Sequence, residues 1–344
     1  MNLLNYLLKI KMALLVSTLV VINSQKLGGK DIRFNFIHRG EIHSSWKNMT
    51  QDATLQFGKN IRVVSNSEKF LLQNVLKKGD RVSISIGYDG NLNQEFSGFV
   101  TRFDARIPLS IYCEDNMWLL KKDELKKSWQ KANLKDVAKF IIDHYNKKYN
   151  YNLKVEADDA ELGQFAIDKL TGAQTLDFIR STYGLISYFR GDTLYCQLAN
   201  GIRSGRQATM RYDFRRNIIS NSLEYVEADD LKIRVKAISF QSNNKKIAAE
   251  AGDPEGELHT YHAPKGLNQV DLNKYAQQEL DRVKYTGYRG SFLSFGIPYP
   301  KHGDIADIRD QEFPDREGRF IIYSVTTQFG VVGIRRTIEI GRKA

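Results

Sequence analysis

The 344-residue chain is predicted to be a β-rich α+β protein in which two β-rich blocks flank a small α+β module. Three observations predict this class. Short alternating apolar runs, separated by turn residues, recur across residues 31–112. The apolar period then becomes helical over about 133–147 and again over about 172–183. Alternation returns near Arg211 and continues to the C-terminal strands. Composition agrees, since 17 Tyr, 18 Phe and only 6 Pro suit β structure. With 42% hydrophobic and 26% charged residues, the length allows roughly two to four domains with a substantial core.

The N-terminus can be read in two ways. Lys9 and Lys11 ahead of the apolar run Met12 to Ile22 resemble a signal peptide, and Asn48-Met49-Thr50 would then be a glycosylation sequon. Ser17 and Thr18 interrupt the run, no small-x-small cleavage site follows it, and it is too short to span a bilayer. Its β-branched residues fit a strand. Residues 1–19 are therefore expected to be an apolar leader, with Thr18 to Ile22 contributing a first strand that is kept in the mature chain.

In the first block the alternating sets are Ile32, Phe34 and Phe36; Ala53, Leu55 and Phe57; Val82, Ile84 and Ile86; Phe96 to Val100; and Ile107 to Ile111. Gly28-Gly29, Gly58-Lys59-Asn60, Gly79-Asp80 and Asp89-Gly90-Asn91 separate them, which predicts an antiparallel barrel or sandwich. Asp89-Gly90 marks a tight hairpin.

In the middle block, Leu134, Val137, Ala138, Ile141, Ile142 and Tyr145 fall on one helical face, with Asn133 as cap and Asp136 in the first turn. Thr171-Gly-Ala-Gln174 reads as a capping box opening a second helix that Gly184 stops. A hairpin turned at Gly191-Asp192 follows.

The last block begins with strands over Ser222 to Val226 and Leu231 to Phe240. The polar stretch Gln241 to Leu267, punctuated by Gly252-Asp253-Pro254 and Glu255-Gly256-Glu257, is expected to be turns or a mobile loop. A third helix carries Leu272, Tyr275, Ala276, Leu280 and Val283 inward, with Asp271 as cap and Gly287 as stop. Turns at Gly303-Asp304 and Glu317-Gly318 then separate strands that include Phe320 to Val325 and Ile334 to Ile340.

Chemistry is sparse. Cys113 and Cys196 are the only cysteines, which leaves two buried free thiols or one disulfide and excludes a Cys-based zinc site. His259 and His262 are spaced three apart, but without Cys or an HExxH context they read as exposed. Asp304, Asp307, Asp310, Asp315 and Glu317 could supply the paired carboxylates of a glycosidase, yet their turn-rich surroundings favour solvated loop residues. Asp253, Glu255 and Glu257 lack the spacing of an EF-hand. His38, His43, His144 and His302 have no evident partner. GxSxG, P-loop and dinucleotide signatures are missing, so no catalytic, cofactor or metal site is expected.

The net charge of +11 is unevenly spread. Between Lys121 and Lys148 nine Lys face four acids, and Arg203, Arg206, Arg211, Arg215 and Arg216 follow with only Asp213. A solvated face accounts for this better than a nucleic-acid footprint, because no aromatic-interleaved reading motif accompanies it.

The order of these features resembles that of phage tail baseplate hub proteins of the late control protein D type, and also the N-terminal hub half of type VI secretion spike proteins. The resemblance covers about Gly28 to Gly341. It rests on the opening GGKDIRFNFIHRGEIHSSWKNMTQDATLQF, the helix and hairpin from Thr171 to Leu198, the AQQEL helix with GYRGSFLSFGIPYPKHGD, and the closing strands to Gly341. It implies a non-enzymatic homotrimer whose chains each supply two antiparallel β-barrel tube domains, here residues 20–118 and 205–344, around the 119–204 module. The second tube domain would carry an inserted loop and helix at about 241–287. Such a ring has pseudo-six-fold symmetry and joins a tail tube or distal tail protein to a spike among other baseplate proteins. It also lines the channel for transient, non-specific passage of DNA, resides in the virion after assembly in the host cytoplasm, and has no stable membrane anchor. No spike-like repeat follows Gly341, so the needle is expected to be a separate protein. The hub of a phage-derived injection apparatus or tailocin is the alternative, and a tail-associated wall hydrolase a more distant one.

Overall fold

The structure, a computed structural model, describes residues 14–45, 48–58, 60–65, 67–198, 207–241, 245–263 and 265–344. The chain forms two compact units. The first takes in the described residues up to Ile42, Asp52–Glu114 and Thr327–Arg335; the second takes in His43–Gln51, Asp115–Thr326 and Arg336–Ala344.

The first unit is built on β1 (Val16–Ser24), β2 (Lys30–Phe34), β3 (Arg39–Ser45), β4 (Asp52–Phe57), β7 (Arg81–Tyr88), β8 (Asn91–Asp104) and β9 (Leu109–Glu114). They lie in the order β3-β4-β9-β8-β7-β1-β2. A separate hairpin of β5 (Arg62–Ser65) and β6 (Glu68–Leu71) leads into the short helix α1 (Leu72–Val75). Alternation in β1 buries Val20 and Ile22, while its two edges pair with β2 and β7. β1 begins at Val16, inside the stretch expected to be leader. Val20, Ile22, Leu55, Phe57, Ile84, Ile86 and Ile111 form the core with Phe329 and Ile334. The β7–β8 turn holds both Asp89 (φ 54°) and Gly90 (φ 82°) in the left-handed region, the backbone a two-residue hairpin requires.

In the second unit, β10 (Glu124–Asn133) pairs with β12 (Glu161–Thr171), and α2 (Leu134–Tyr149) and α3 (Gly172–Tyr183) follow those strands directly. Asn133 caps α2 by accepting from the Lys135 N–H at 2.9 Å. The Thr171 capping box is complete, with its hydroxyl 3.2 Å from the Gln174 N–H and Gln174 returning to the Thr171 N–H at 2.9 Å. β11 (Lys154–Ala157), β13 (Leu185–Arg190) and β14 (Thr193–Leu198) make a small sheet in which β11 and β14 are parallel.

The remaining strands are β15 (Thr209–Asp213), β16 (Ile218–Asn221), β17 (Glu224–Val226), β18 (Ile233–Phe240), β19 (Lys246–Gly252), β20 (Glu257–His262), β21 (Gly287–Phe295), β22 (Ile305–Arg309), β23 (Gly318–Gly330) and β24 (Arg335–Lys343). β16, β21, β24 and β23 are neighbours in that order, and β22 joins β15 to β23. Helix α4 (Gln269–Val283) packs Leu272, Ala276 and Leu280 on the three-stranded sheet β19-β18-β20 through Val235 and Ala237.

Several expectations are corrected. The described part of 241–267 is not a mobile loop but two strands joined by a turn, because β19 and β20 flank β18, with Ile247, Ala249 and Ala251 of β19 and Tyr261 of β20 packed in the core. Asn268, not Asp271, caps α4, and the helix ends at Val283, with Gly287 opening β21. Phe36 lies beyond β2 and Ile107 precedes β9, so neither continues an alternating set. The β blocks are not purely antiparallel, since β15–β22 and β18–β20 are parallel pairs whose crossovers leave no local mark in sequence. The described strands form open sheets, not closed barrels: β2 pairs only with β1 and β16 only with β21.

Candidate interaction surfaces

The carboxylates near the C-terminus serve the fold. Asp304 is buried, accepts from the Ala208 and Lys301 N–H groups at 3.2 and 2.8 Å, and burial raises its pKa. Asp310 is also buried, taking the Tyr288 hydroxyl at 3.0 Å and the Glu312 and Phe313 N–H groups. Asp307 and Glu317 both grip Arg309, at 3.0 and 2.7 Å. Asp304 and Asp310 therefore contradict the expectation of solvated loop residues, because satisfying backbone donors at tight turns needs a carboxylate turned inward. Only Asp315, in the turn Pro314–Arg316, is exposed among the five.

The histidines are dispersed. His259 and His262 are both half-buried, against the expectation of an exposed pair; His259 lies 3.7 Å from Glu257, and burial lowers the pKa of His262. His302 is buried edge-on against Tyr188 at 4.8 Å, and Arg190 donates to its carbonyl at 2.7 Å. His43 meets Thr326 at 3.0 Å and His144 lies 3.6 Å from Asp123. His38 donates its backbone N–H to Gln56. Asp253 closes a turn on the Glu255 N–H at 3.0 Å. Among the described residues no three His, Cys, Asp or Glu side chains gather as a metal site would require. Cys113 and Cys196 are buried free thiols, and burial pushes the Cys196 thiol up to about 12.

The lysines of the module are largely spent on neighbours. Lys126 lies 3.7 Å from Asp168, Lys131 2.9 Å from Glu161, Lys139 2.8 Å from Asp143 and Lys148 2.5 Å from Asp123. Between β10 and α2 a groove of about 490 Å³ is lined by Lys127, Trp129, Lys139, Phe140, Asp143 and Lys147 among others. Lys127 lies over both rings, its ammonium 4.9 Å from Trp129 and 4.5 Å from Phe140. Arg215 and Arg216 are held by Glu312 and Asp213. Arg203 and Arg206 lie outside the described residues. Arg211 on β15 is exposed, and the pairs named here belong to a solvated face.

What remains open is backbone. β2 and β16 each present an unpaired edge, and Ile219 on β16 is exposed. Such edges are templates for strand addition. Sequence reasoning missed them because pairing partners, not composition, decide which strand lies outermost. No helix among the described residues is long and apolar enough to cross a membrane.

The same architecture occurs in solved structures. A tail protein from Neisseria meningitidis MC58 superposes with a TM-score of 0.61 at 17% identity, covering 94% of this chain and 96% of that one. The 43 kDa tail protein of prophage MuSo2 from Shewanella oneidensis gives 0.61 at 15%, covering 95% and 98%. A type VI secretion component from Escherichia coli, described as similar to T4 bacteriophage tail proteins gp27 and gp5, gives 0.54 at 10%, covering 90% and 74%. At these identities the likeness is one of fold. It matches, at that level, the resemblance carried by the sequence motifs. No protein-family model and no curated protein matches the chain by sequence.

Proposed function

We propose that the chain is a structural, non-enzymatic hub of a phage tail baseplate. In this reading it assembles as a homotrimeric, pseudo-six-fold ring between the tail tube and a spike, located in the virion, with a lumen that passes DNA without reading it. Residues 20–118 and 205–344 act as its two tube domains, and residues 119–204 form the module between them. The observation that carries the reading is the full-length likeness of fold to two tail proteins.

Open edges support it. β2 and β16 lie at unpaired sheet edges, which a closed ring of copies would cover by strand pairing, forming the barrel wall that a single chain leaves open. The carboxylates support a structural part as well, because those a hydrolase would use are engaged by backbone amides, Tyr288 and Arg309. The fold likeness to the Escherichia coli type VI component favours a second reading, the hub of a phage-derived injection apparatus.

Electron cryomicroscopy of the isolated tail tip tests the proposal. A three-fold ring of this chain between tube and spike is expected. Its location elsewhere in the particle, or as a single copy, would refute it.

A further inference from the structure

Four exposed apolar side chains project from one end of the first unit: Phe36 (68% exposed), Ile107 (67%), Val331 (55%) and Val332 (64%). They come from three separate connections, yet backbone pairing sets those connections in one row. Leu109 at the start of β9 faces Phe57 at the end of β4. His38, just before β3, donates to the Gln56 carbonyl at 3.1 Å, and its own carbonyl accepts from the Val331 N–H at 3.2 Å. Ile107, Phe36 and the Val331–Val332 tip all lie just beyond that row. The valine tip is a built turn. Gly330 (φ 130°) and Gly333 (φ 89°) bracket it, and a side chain on Gly330 would meet the His38 carbonyl at 2.5 Å.

Exposed apolar residues on constrained turns need an explanation that singly scattered ones do not. Together the four present on the order of 400 Å² of apolar surface, about half of the roughly 800 Å² that one side of a stable interface buries. One copy of the rim is too small to hold a partner; several copies side by side are sufficient. A lipid surface fits poorly, because the arginines beside Phe36 and Ile107 are ion-paired. Arg106 binds Asp104 through contacts of 2.5 to 3.1 Å, and Arg39 lies 3.5 Å from Glu41. An interfacial anchor combines apolar residues with free cationic ones.

We propose that this apolar rim is the docking face for the end of a ring-shaped protein partner that carries an apolar rim of its own, engaged by several copies of this chain at once. The inference rests on the trimeric hub reading, in which the tube ring is that partner.

The test uses the full chain with the tail-tube protein of the same particle. Capping of tube ends is counted by negative-stain microscopy for wild type, for Phe36→Ser combined with Val332→Ser, and for the control Val270→Ser, an exposed valine (63%) on α4 of the second unit. The double variant is expected to form trimers and unfold like wild type while capping falls at least about tenfold, with the control unchanged. Undiminished capping by the double variant overturns the proposal. So does binding of wild type to phosphatidylcholine–phosphatidylglycerol vesicles that the double variant loses, which would assign the rim to a membrane. A wild-type chain that stays monomeric with tube protein present overturns the hub reading beneath it instead.

Discussion

The ring of Phe329 occupies the space where a side chain at residue 40 would stand. A Cβ built on Gly40 lies 2.3 Å from Cζ of Phe329, which is itself fully buried in the core of the first unit. β3 and β23 can therefore carry a phenylalanine between them only because residue 40 has no side chain.

Gly40→Ala is expected to destabilise the first unit by about 1–3 kcal/mol, the usual cost of overpacking a filled core. Urea unfolding followed by tyrosine and tryptophan fluorescence measures this. Combining it with Phe329→Leu should recover part of the loss; a loss identical in both backgrounds would show that the ring is not the obstacle.

Glu279 on α4 is fully buried between Arg282 at 2.6 Å and Arg342 of β24 at 3.5 Å. Removing Arg342 leaves the buried Glu279 carboxylate with Arg282 as its ion-pair partner and without its contact to β24. Arg342→Met is expected to cost about 1.5–3 kcal/mol, the range for a lost contact to a buried charged group, whereas Arg342→Met with Glu279→Leu should regain much of it. Equal stability of the two variants in chemical denaturation would refute this.

Acid sensitivity should trace in part to His302. Burial first, then the charges of Arg190 and Lys301, pushes its imidazole down to about 3. The unfolded imidazole takes up a proton below about 6.5, whereas the folded one stays neutral. Stability from this residue is therefore full above 6.5 and falls as pH drops from 6.5 toward 3, by about 2 kcal/mol at pH 5. Asp80 and Asp304, whose folded pKa values are raised, act with the opposite sign, gaining stability as pH falls through their titration. Comparing wild type with His302→Phe largely cancels those terms. The variant should lose less stability than wild type between pH 7 and 5; parallel pH profiles would contradict the assignment.

The purified chain is expected not to clear peptidoglycan. Asp304 is held by two backbone amides, and Glu317 by Arg309 and the Asp310 N–H. Clearing that disappears in Asp304→Asn or Glu317→Gln would overturn the structural reading.

Local signals were the legible ones. Asp89-Gly90, the Thr171–Gln174 capping box and the helical face from Leu134 to Tyr145 each depend on neighbours within one turn or hairpin, so their residues declare them. Residues whose partners are distant were misread. Asp304 is anchored to Ala208, 96 positions away, and looks in sequence like any Gly-Asp turn. β19 and β20 are stabilised by α4 packing across their sheet; β19 turns Ala249 and Ala251 inward and β20 contributes Tyr261 among polar neighbours, which gives little alternation to read. The candidate surfaces were the least visible. The rim of Phe36, Ile107, Val331 and Val332 exists only once β9, β4, β3 and β23 are laid side by side, and the edge status of β2 and β16 depends on which strands are absent beside them.

The central claim is that this chain closes into a three-fold ring through its open sheet edges. Native mass spectrometry of the purified protein, supported by sedimentation velocity across a concentration series, tests it most directly. The expected species has three times the 39.5 kDa chain mass, and it should be lost when a proline at Ile219 blocks strand addition at the β16 edge. A monomer at every concentration, or a trimer indifferent to Ile219→Pro, would contradict it.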